Sequence, residues 1–153
     1  MRKEKKEIGR LTFVEMTQEN EIAEILNNFS SCLTSLRKGE DFQKKIAKKF
    51  ALNANFKVAL CDGEIAGFIA FYANNSVDKI AYISMIAVKE KYRKQGFGLL
   101  LLQECEKNAK VSAMKTINLE VLLENTAAIE FYKRNGFICK EKRATALLMS
   151  KDI

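Results

Sequence analysis

Short apolar stretches rich in β-branched and aromatic residues recur along the chain, with turn-forming residues between them. Their length and composition predict β-strands. Asp62-Gly63 separates two of them and predicts an antiparallel hairpin, because this dipeptide suits a two-residue turn. In the stretch that ends at Val88, the even-numbered side chains from Tyr82 onward are expected to share one face. The predicted strands are Leu11–Val14, Phe56–Leu60, Ile65–Phe71, Ile80–Val88, Thr116–Leu122, Phe137–Lys140 and Ala144–Met149.

Other segments show the wider spacing of amphipathic helices. Thr17 is expected to cap the first helix, which carries Ile22, Ile25 and Leu26. The remaining predicted helices cover about Asp41–Leu52, Leu99–Lys110 and a segment from a cap at Asn125 to a stop at Gly136. The order is therefore strands, then a β-α-β unit, then a closing pair of strands.

Length and composition indicate one domain with a single core. The chain has 153 residues, of which 48% are apolar, and it contains no proline. The basic run Met1–Glu7 is not followed by a long apolar stretch, which argues against a signal peptide. Apolar runs such as Tyr82–Val88 are too short to span a bilayer, so we expect a cytoplasmic protein without membrane association.

Cysteine and histidine usage limits the chemistry. The four cysteines form no Cys-x-x-Cys pair and the chain contains no histidine, a composition that disfavours a zinc site. The thiols are expected to be free, with Cys105 in the core beside Leu101 and Leu102. A general base must then be a carboxylate, a tyrosine, a chain terminus or a water relay.

The net charge of +7 raises the possibility of a nucleic-acid partner. The lysines at 44, 45, 48 and 49, however, have the spacing of one solvated helix face. Elsewhere the basic residues alternate with glutamate. We therefore expect no nucleic-acid binding and favour an acidic small-molecule partner.

The segment Ala87–Gly98 carries the most specific signal. A β-type run passes through a basic turn with glycines at 96 and 98 into a helix. Free N–H groups at the helix start, the helix dipole and the charges of Lys91, Arg93 and Lys94 would together attract a phosphate or pyrophosphate. The alternative is a solvated basic turn.

A second segment, Val121–Phe137, reads as a strand end followed by a helix. Asn125, Ala128 and Tyr132 fall on one face of that helix. The two segments together resemble the GCN5-related N-acetyltransferase (GNAT) family, whose pattern Arg/Gln-x-x-Gly-x-Gly/Ala is met by Arg93, Gly96 and Gly98. The family's later pattern Asn-x-x-Ala-x-x-x-Tyr-x-x-x-Gly-Phe is met at Asn125, Ala128, Tyr132, Gly136 and Phe137.

The resemblance implies an α/β fold of the α+β type, with a mixed, mostly antiparallel central sheet flanked by α-helices. One domain would cover residues 1–153, with the best match from 65 to 137. Acetyl-CoA would be the acyl donor and no metal would be needed. A small amine would be the acceptor, and the family also allows a homodimer. Phe29–Asn55, where such proteins shape the acceptor pocket, carries no motif.

The resemblance also assigns site residues. A bulge or splayed strands at Val88 and Val121 would admit the cofactor, a backbone N–H near Ile86 or Ala87 would stabilise the oxyanion, and Asn125 would bond near the thiol. The implied cofactor-binding residues are Ile86, Ala87, Val88, Arg93, Lys94, Gln95, Gly96, Phe97, Gly98, Leu99, Asn125, Ala128 and Tyr132.

For catalysis, Tyr132 resembles the family's general acid, although an aromatic pair with Phe131 is also typical of core packing. Glu120 is the candidate base, acting through water, with Tyr82 and Ser84 as alternatives. Glu120 can equally be a solvated strand residue. The chain departs from related sequences at Lys89-Glu90, where a proline often follows the strand.

The expected function is transfer of an acetyl group from acetyl-CoA to a primary amine of a small molecule, an amino sugar being one candidate, by direct attack in a ternary complex. The alternatives are an acetyltransferase of protein N-termini or lysines and a non-catalytic acyl-CoA-binding module. The sequence leaves the acceptor, the base, the acyl preference and the oligomeric state open.

Overall fold

The computed structural model describes residues 10–153, so the basic run Met1–Glu7 lies outside the described part. The strands are β1 (Leu11–Glu15), β2 (Asn55–Cys61), β3 (Glu64–Tyr72), β4 (Ile80–Val88), β5 (Thr116–Leu122), β6 (Ile138–Lys142) and β7 (Ala146–Asp152). The α-helices are α1 (Glu19–Asn28), α2 (Glu40–Asn53), α3 (Phe97–Val111) and α4 (Thr126–Arg134), with short 3-10 helices at Thr34–Lys38 and Glu90–Tyr92.

The seven strands of residues 10–153 form one sheet in the order β1-β2-β3-β4-β5-β7-β6. The β4–β5 pair is parallel, and the other neighbouring pairs are antiparallel. The parallel pair is the one joined by a helix, α3, as a parallel connection requires. This arrangement confirms the predicted mixed, mostly antiparallel sheet.

Each face of the sheet has its own apolar core, so the expectation of a single core is wrong. Residues of α3 and α4 pack with Ile69, Phe71 and Ile83 on one face, which we call the α3/α4 face. Residues of α1 and α2 pack with Phe56 and Phe68 on the other, the α1/α2 face. Cys105 is fully buried in the first core, as its helical spacing predicted.

The β2–β3 hairpin turns at Asp62 and Gly63, which have φ values of 50° and 80°. Positive φ at both central residues gives the turn the twist that suits a two-residue hairpin. The Arg10 backbone N–H donates to the Asp62 carboxylate at 2.8 Å. The predicted hairpin is confirmed.

A β-bulge interrupts β4. Phe71 pairs with Ile83 and Ala70 pairs with Met85, so Ser84 is an extra residue without a partner on β3. The bulge reverses the alternation of side chains, because one inserted residue shifts every later side chain to the opposite face. The expectation of one face for the even positions from Tyr82 to Val88 is therefore wrong.

The start of α1 also differs from the expectation. Gln18, not Thr17, occupies the N-cap position, and its side chain makes no capping hydrogen bond. Glu19 and Glu21 lie in the first turn, where their negative charges interact favourably with the helix dipole. Charge stabilises this helix start without the predicted Thr17 cap.

Candidate active site

Strands β4 and β5 separate halfway along their length. Their pairing runs from Ile80 opposite Thr116 to Ile83 opposite Leu119 and ends there. Beyond it, β4 still pairs with β3 through Val88, and β5 still pairs with β7 through Leu122. Each strand thus holds its other neighbour while the two diverge. The predicted splay at Val88 and Val121 is present, and the backbone edge of Ile86–Val88 that faces β5 has no strand partner in the described residues.

A cavity of about 500 Å³ opens at this separation. Its walls come from β4, the loop that follows, the start of α3, the body of α4 and the α1–α2 connection. The lining residues are Cys32, Leu33, Ile86, Ala87, Val88, Tyr92, Arg93, Lys94, Gly96, Phe97, Gly98, Leu99, Ala128, Phe131, Tyr132 and Arg134. Most of the residues that the two motifs assigned to the cofactor therefore share one cavity.

The loop between β4 and α3 has the backbone of an anion-binding turn. Lys94 and Gly96 have φ values of 61° and 88°, and Gly96 forms the N-cap of α3. The first-turn N–H groups of α3 have no intrahelical acceptor, and the dipole places partial positive charge there. The backbone between Lys94 and Gly98 can therefore present several N–H donors to one anion.

Gly98 has a second reason to lack a side chain. A Cβ at this position would lie 3.1 Å from Cζ of Phe131 on α4. That contact is tighter than ordinary van der Waals packing, so the Phe131 ring would have to move by a few tenths of an ångström. The absence of a side chain at Gly98 therefore lets the Phe131 ring lie close to the start of α3, where both residues line the cavity.

The cations that line the cavity near the loop are not the three that the sequence predicted, Lys91, Arg93 and Lys94. Lys91 pairs with Glu64 at 3.0 Å, so part of its charge is neutralised. Arg93 and Lys94 line the cavity, and Arg134 joins them from the last turn of α4. Arg134 was missed because its position in the sequence lies far from the loop and matches no motif residue.

Tyr92 anchors the loop to β3. Its hydroxyl donates to the Glu64 carboxylate, and its ring packs edge-on against Phe97 at a centroid distance of 5.4 Å. The hydrogen bond from Tyr92, together with Lys91, holds the pKa of Glu64 below its usual value. The same bond raises the pKa of Tyr92.

Tyr132 is buried in the cavity wall. Its side chain is 7% exposed, and its ring contacts Phe131 and Phe137 at centroid distances of 5.3 and 5.6 Å. Burial raises the pKa of Tyr132 to about 12, so the phenol keeps its proton at neutral pH. Both earlier interpretations apply to this residue: it packs in the core, and it also faces the space where a ligand would lie.

Two other predicted cofactor residues lie outside the cavity lining. Asn125 caps α4: its Oδ1 accepts the Ala128 N–H at 3.2 Å. The Gln95 side chain turns back to donate to the Lys91 carbonyl at 3.0 Å. The backbone N–H of Gln95, at the loop before α3, is not involved in this side-chain bond. The amide of Asn125 is already engaged through one oxygen.

Glu120 lies away from the cavity, on the α1/α2 face of β5. It pairs with Arg143, which also contacts Glu141 at 3.4 Å. Burial raises the pKa of nearby Tyr82. The charge of Glu120 raises this pKa further, and the charge of Arg143 opposes the increase. The sequence could not predict the Arg143 partner, which comes from the β6–β7 turn.

Tyr82 belongs to a polar row across three strands. Tyr72 lies opposite Tyr82 on β3, and Asn118 lies beside it on β5. The Tyr72 hydroxyl and Asn118 Oδ1 are buried and have no hydrogen-bond partner within residues 10–153. Buried polar atoms are normally satisfied by protein, water or ligand. This row ends one residue before the strands separate, so it borders the opening.

Within residues 10–153, no cluster of three or more acidic or cysteine side chains is suited to a metal ion. In the same range, each helix is either too short or too polar to cross a membrane. All four cysteines are free thiols.

Comparison with known sequences identifies the family. A family model described as acetyltransferase (GNAT) matches residues 22–137, and the chain therefore belongs to that family. An uncharacterized N-acetyltransferase from Methanocaldococcus jannaschii is 36% identical over 102 residues, 64% of this chain and 45% of the relative. An N-alpha-acetyltransferase from Sulfurisphaera tokodaii is 37% identical over 94 residues, 55% of this chain and 56% of the relative. The chain spans about half the length of these curated relatives.

Comparison with solved structures agrees on the fold. The PaiA N-acetyltransferase from Thermoplasma acidophilum, solved in complex with coenzyme A, superposes with a TM-score of 0.75. The superposition covers 94% of this chain and 99% of that one, at 18% sequence identity. At this identity the similarity establishes the fold, and the residues of the site must be argued separately.

Proposed function

We propose that this protein is an acetyl-CoA-dependent N-acetyltransferase that transfers an acetyl group to a primary amine. One observation carries the proposal: a single cavity contains the anion-binding loop, the unpaired edge of β4 and Tyr132. These are the three elements needed to hold a pyrophosphate, an extended pantetheine arm and a departing thiol. Family membership supports the same cofactor.

Coenzyme A would enter with its pyrophosphate on the N–H groups of Gln95–Leu99. Arg93, Lys94 and Arg134 would supply positive charge at that end of the cavity. The pantetheine amides would pair with the backbone edge of Ile86–Val88 that has no strand partner in the described residues, as an added strand pairs with a sheet edge, and would replace the bond from Arg93 Nε to the Val88 carbonyl at 3.2 Å. Ala128 and Phe131 would cover the opposite side.

The reaction would be a direct attack. An alkyl amine has a reference pKa near ~10.4 and must lose a proton before its lone pair can react. The nitrogen then bonds to the thioester carbonyl carbon, and a backbone N–H near Ile86 or Ala87 stabilises the oxyanion. When the C–S bond breaks, its electron pair stays on sulfur, which takes up one proton, while the nitrogen gives up the second proton that it must lose to become an amide. The products are an amide and the free thiol of coenzyme A.

Tyr132 would donate to the sulfur. Its pKa of about 12 keeps the phenol protonated throughout the physiological range. The reference pKa of a thiol, about 8.5, is several units lower, so full transfer before the bond breaks would be unfavourable. We infer that the phenol hydrogen bond stabilises the developing thiolate and that the phenol proton passes to sulfur only as the proton released by the nitrogen replaces it, so that no phenolate accumulates.

Glu120 would be the base, receiving the amine proton through water. The supporting observation is its place on β5 beside Tyr82 and two residues beyond Asn118, at the edge of the strand separation. Arg143 would hold the carboxylate in place. Ser84, exposed at the bulge, has no comparable carboxylate chemistry and is the weaker alternative.

The acceptor is proposed to be a small primary amine, such as an amino sugar. A second candidate is the α-amino group of a protein N-terminus, favoured by the N-alpha-acetyltransferase among the relatives. In both cases the polar row of Tyr72, Tyr82 and Asn118 would hydrogen-bond to groups near the amine. The two candidates differ in size, so direct competition between probes can separate them.

Two measurements test the proposal. Thermal unfolding with acetyl-CoA at about a hundredfold excess over Kd should show stabilisation of about 2.7 kcal/mol, a rise of several degrees. Release of the coenzyme A thiol is then followed with glucosamine, spermidine, ornithine and a short peptide with a free N-terminus. Stabilisation and amine-dependent thiol release support an acetyltransferase. Stabilisation without release from any probe would favour a non-catalytic acyl-CoA-binding module, and no stabilisation of folded protein would overturn the cofactor assignment.

A further inference from the structure

Lys89, the first residue after β4, connects this strand to the start of the α1–α2 connection. Its Nζ donates to the Asn28 carbonyl at 2.8 Å, and the same atom lies 4.7 Å from the centroid of the Phe29 ring. Its backbone N–H donates to the Ala66 carbonyl at 2.8 Å, which fixes the residue to β3. Lys89 thus makes backbone contact with the sheet and side-chain contact with α1.

The Lys89 ammonium lies at the C-terminal end of α1, where a positive charge is stabilising. Asn28 is the last residue of this helix, and the final turn of α1 contains no basic residue of its own. The carbonyls of a helix end carry partial negative charge and lack intrahelical donors. Lys89 supplies both the cation and a donor, from a different element of the fold.

The segment that follows is a tight turn built on Phe29. The Phe29 carbonyl accepts the N–H groups of Cys32 at 2.9 Å and Leu33 at 3.2 Å. The Phe29 side chain is fully buried and packs edge-on against Phe68 at 4.9 Å. A shift of Phe29 would therefore move Cys32 and Leu33 with it.

Cys32 and Leu33 line the same cavity as Ile86–Val88. They also pack against the core of the α1/α2 face, which is the face that carries the polar row of Tyr72, Tyr82 and Asn118. The cationic end of the cavity, with Arg93 and Arg134, belongs to other elements. Cys32 and Leu33 therefore form the cavity wall on the side where the amine would bind.

We propose that Lys89 is a positioning residue that holds the turn Phe29–Leu33 against the end of β4 and so fixes the cavity wall formed by Cys32 and Leu33. The consequence for catalysis, an effect on amine binding, rests on the proposed acetyltransferase function. The structural part does not, because the position of the wall can be measured in the free protein.

The test compares Lys89→Met, Lys89→Arg and Lys38→Met. Methionine keeps the apolar stem of Lys89 and removes its charge, whereas arginine keeps both charge and donors. Lys38 is the control: it ends the 3-10 helix that follows this segment, and its ammonium lies 5.0 Å from the centroid of the Phe42 ring on α2. The first readout is the alkylation rate of Cys32 by N-ethylmaleimide, followed by peptide mass spectrometry, with exposed Cys139 on β6 as internal reference.

Loss of one charge-assisted hydrogen bond should accelerate Cys32 alkylation about tenfold in Lys89→Met, since local opening follows the lost contact energy. Lys89→Arg and Lys38→Met should behave like the wild type, and Cys139 should react equally in all variants. An unchanged Cys32 rate in folded Lys89→Met would overturn the proposal. If Lys89→Met does not melt cooperatively, Lys89→Leu, which also lacks the charge and the donor, gives the same comparison.

Kinetics provide the second readout, with whichever probe amine releases thiol. Lys89→Met should raise KM for that amine several-fold while KM for acetyl-CoA changes less than about twofold, and arginine should restore the wild-type value. A general structural defect would alter both constants together and would contradict the positioning role. If wild-type protein releases no thiol, the function proposal fails while the Cys32 result still decides the role of Lys89.

Discussion

The molecule has two halves, one around α3 and α4 and one around α1 and α2. Sequence motifs predicted most of the cavity residues of the first half but none of those of the second. The first half contains the loop before α3 and the start of α4, whose roles depend on backbone conformation and on residues close in sequence. The second half contributes Cys32 and Leu33 to the cavity without any motif. Local backbone chemistry can be read from a sequence, whereas a wall formed by tertiary packing cannot.

The largest effect expected in the first half is on Tyr132. Tyr132→Phe removes the phenol proton and keeps the ring that packs on Phe131 and Phe137. We expect kcat to fall by about a hundredfold, within the usual range for loss of a general acid, with little change in acetyl-CoA affinity. Steady-state kinetics and thermal melts check this. Wild-type turnover in the variant would refute the assignment.

The pH profile sharpens the same point. Burial raises the pKa of Tyr132 to about 12, so its acidic form persists well above neutral pH. Below the amine pKa, kcat/KM for the amine should rise by nearly tenfold per pH unit, because the reactive form is the neutral amine. No decline caused by Tyr132 should occur below about pH 10. A decline near pH 8 that is absent from Tyr132→Phe would contradict the effect of burial.

Gly98→Val tests the loop. Its side chain would meet the Phe131 ring and crowd the start of α3, so acetyl-CoA affinity should fall at least about tenfold. Isothermal titration measures the change. Gly63→Val is the control, since Gly63 lies in the open β2–β3 turn, where its positive φ strains a valine without any contact to the cavity. Equal losses in the two variants would indicate a stability effect and not a site effect.

A smaller effect is expected at Arg134. Arg134→Gln should weaken acetyl-CoA binding about fivefold at low salt and less at high salt, because a partly exposed charge is screened. Lys133→Gln removes the same charge from the neighbouring position of α4, which does not line the cavity. Titrations at two salt concentrations compare them. Identical losses would reduce the role of Arg134 to general electrostatics.

The smallest effect expected lies in the second half, at Asn118. Its unsatisfied Oδ1 suits a hydrogen bond to the acceptor, so Asn118→Ala should raise KM for the amine about threefold and leave KM for acetyl-CoA unchanged. Amine titrations at saturating acetyl-CoA measure it. If only KM for acetyl-CoA changed, Asn118 would lie on the cofactor side of the cavity. The proposed separation of an amine side from a cofactor side would then be wrong.

Much of the fold follows from local pattern. The hairpin at Asp62-Gly63, the strand Thr116–Leu122 and the cap at Asn125 each depend on neighbouring residues and were predicted correctly. The bulge at Ser84 was not, because an inserted residue becomes visible only when the partner strand is known. The bulge moves each later side chain of β4 to the opposite face, and the local sequence pattern does not reveal this change.

The candidate site shows the same limit. Ten of the residues assigned to the cofactor by the two motifs, together with Tyr132, lie in one cavity, since each motif is a continuous piece of chain. Arg134, the Glu120–Arg143 pair and the Lys89 contact to α1 depend on distant elements that approach one another. Pairings of this kind are set by packing between elements, and the sequence around any one partner does not specify the other.

The central claim is that the separation between β4 and β5 and the loop before α3 form one acetyl-CoA site. Amide hydrogen exchange with and without acetyl-CoA tests it most directly, because both sets of N–H groups can be followed in one experiment. We predict slower exchange at Ile86–Val88 and at Gln95–Leu99 on binding, with little change in β1 and β6. If acetyl-CoA binds but slows exchange only in other regions, or in neither of these two segments, the account is contradicted.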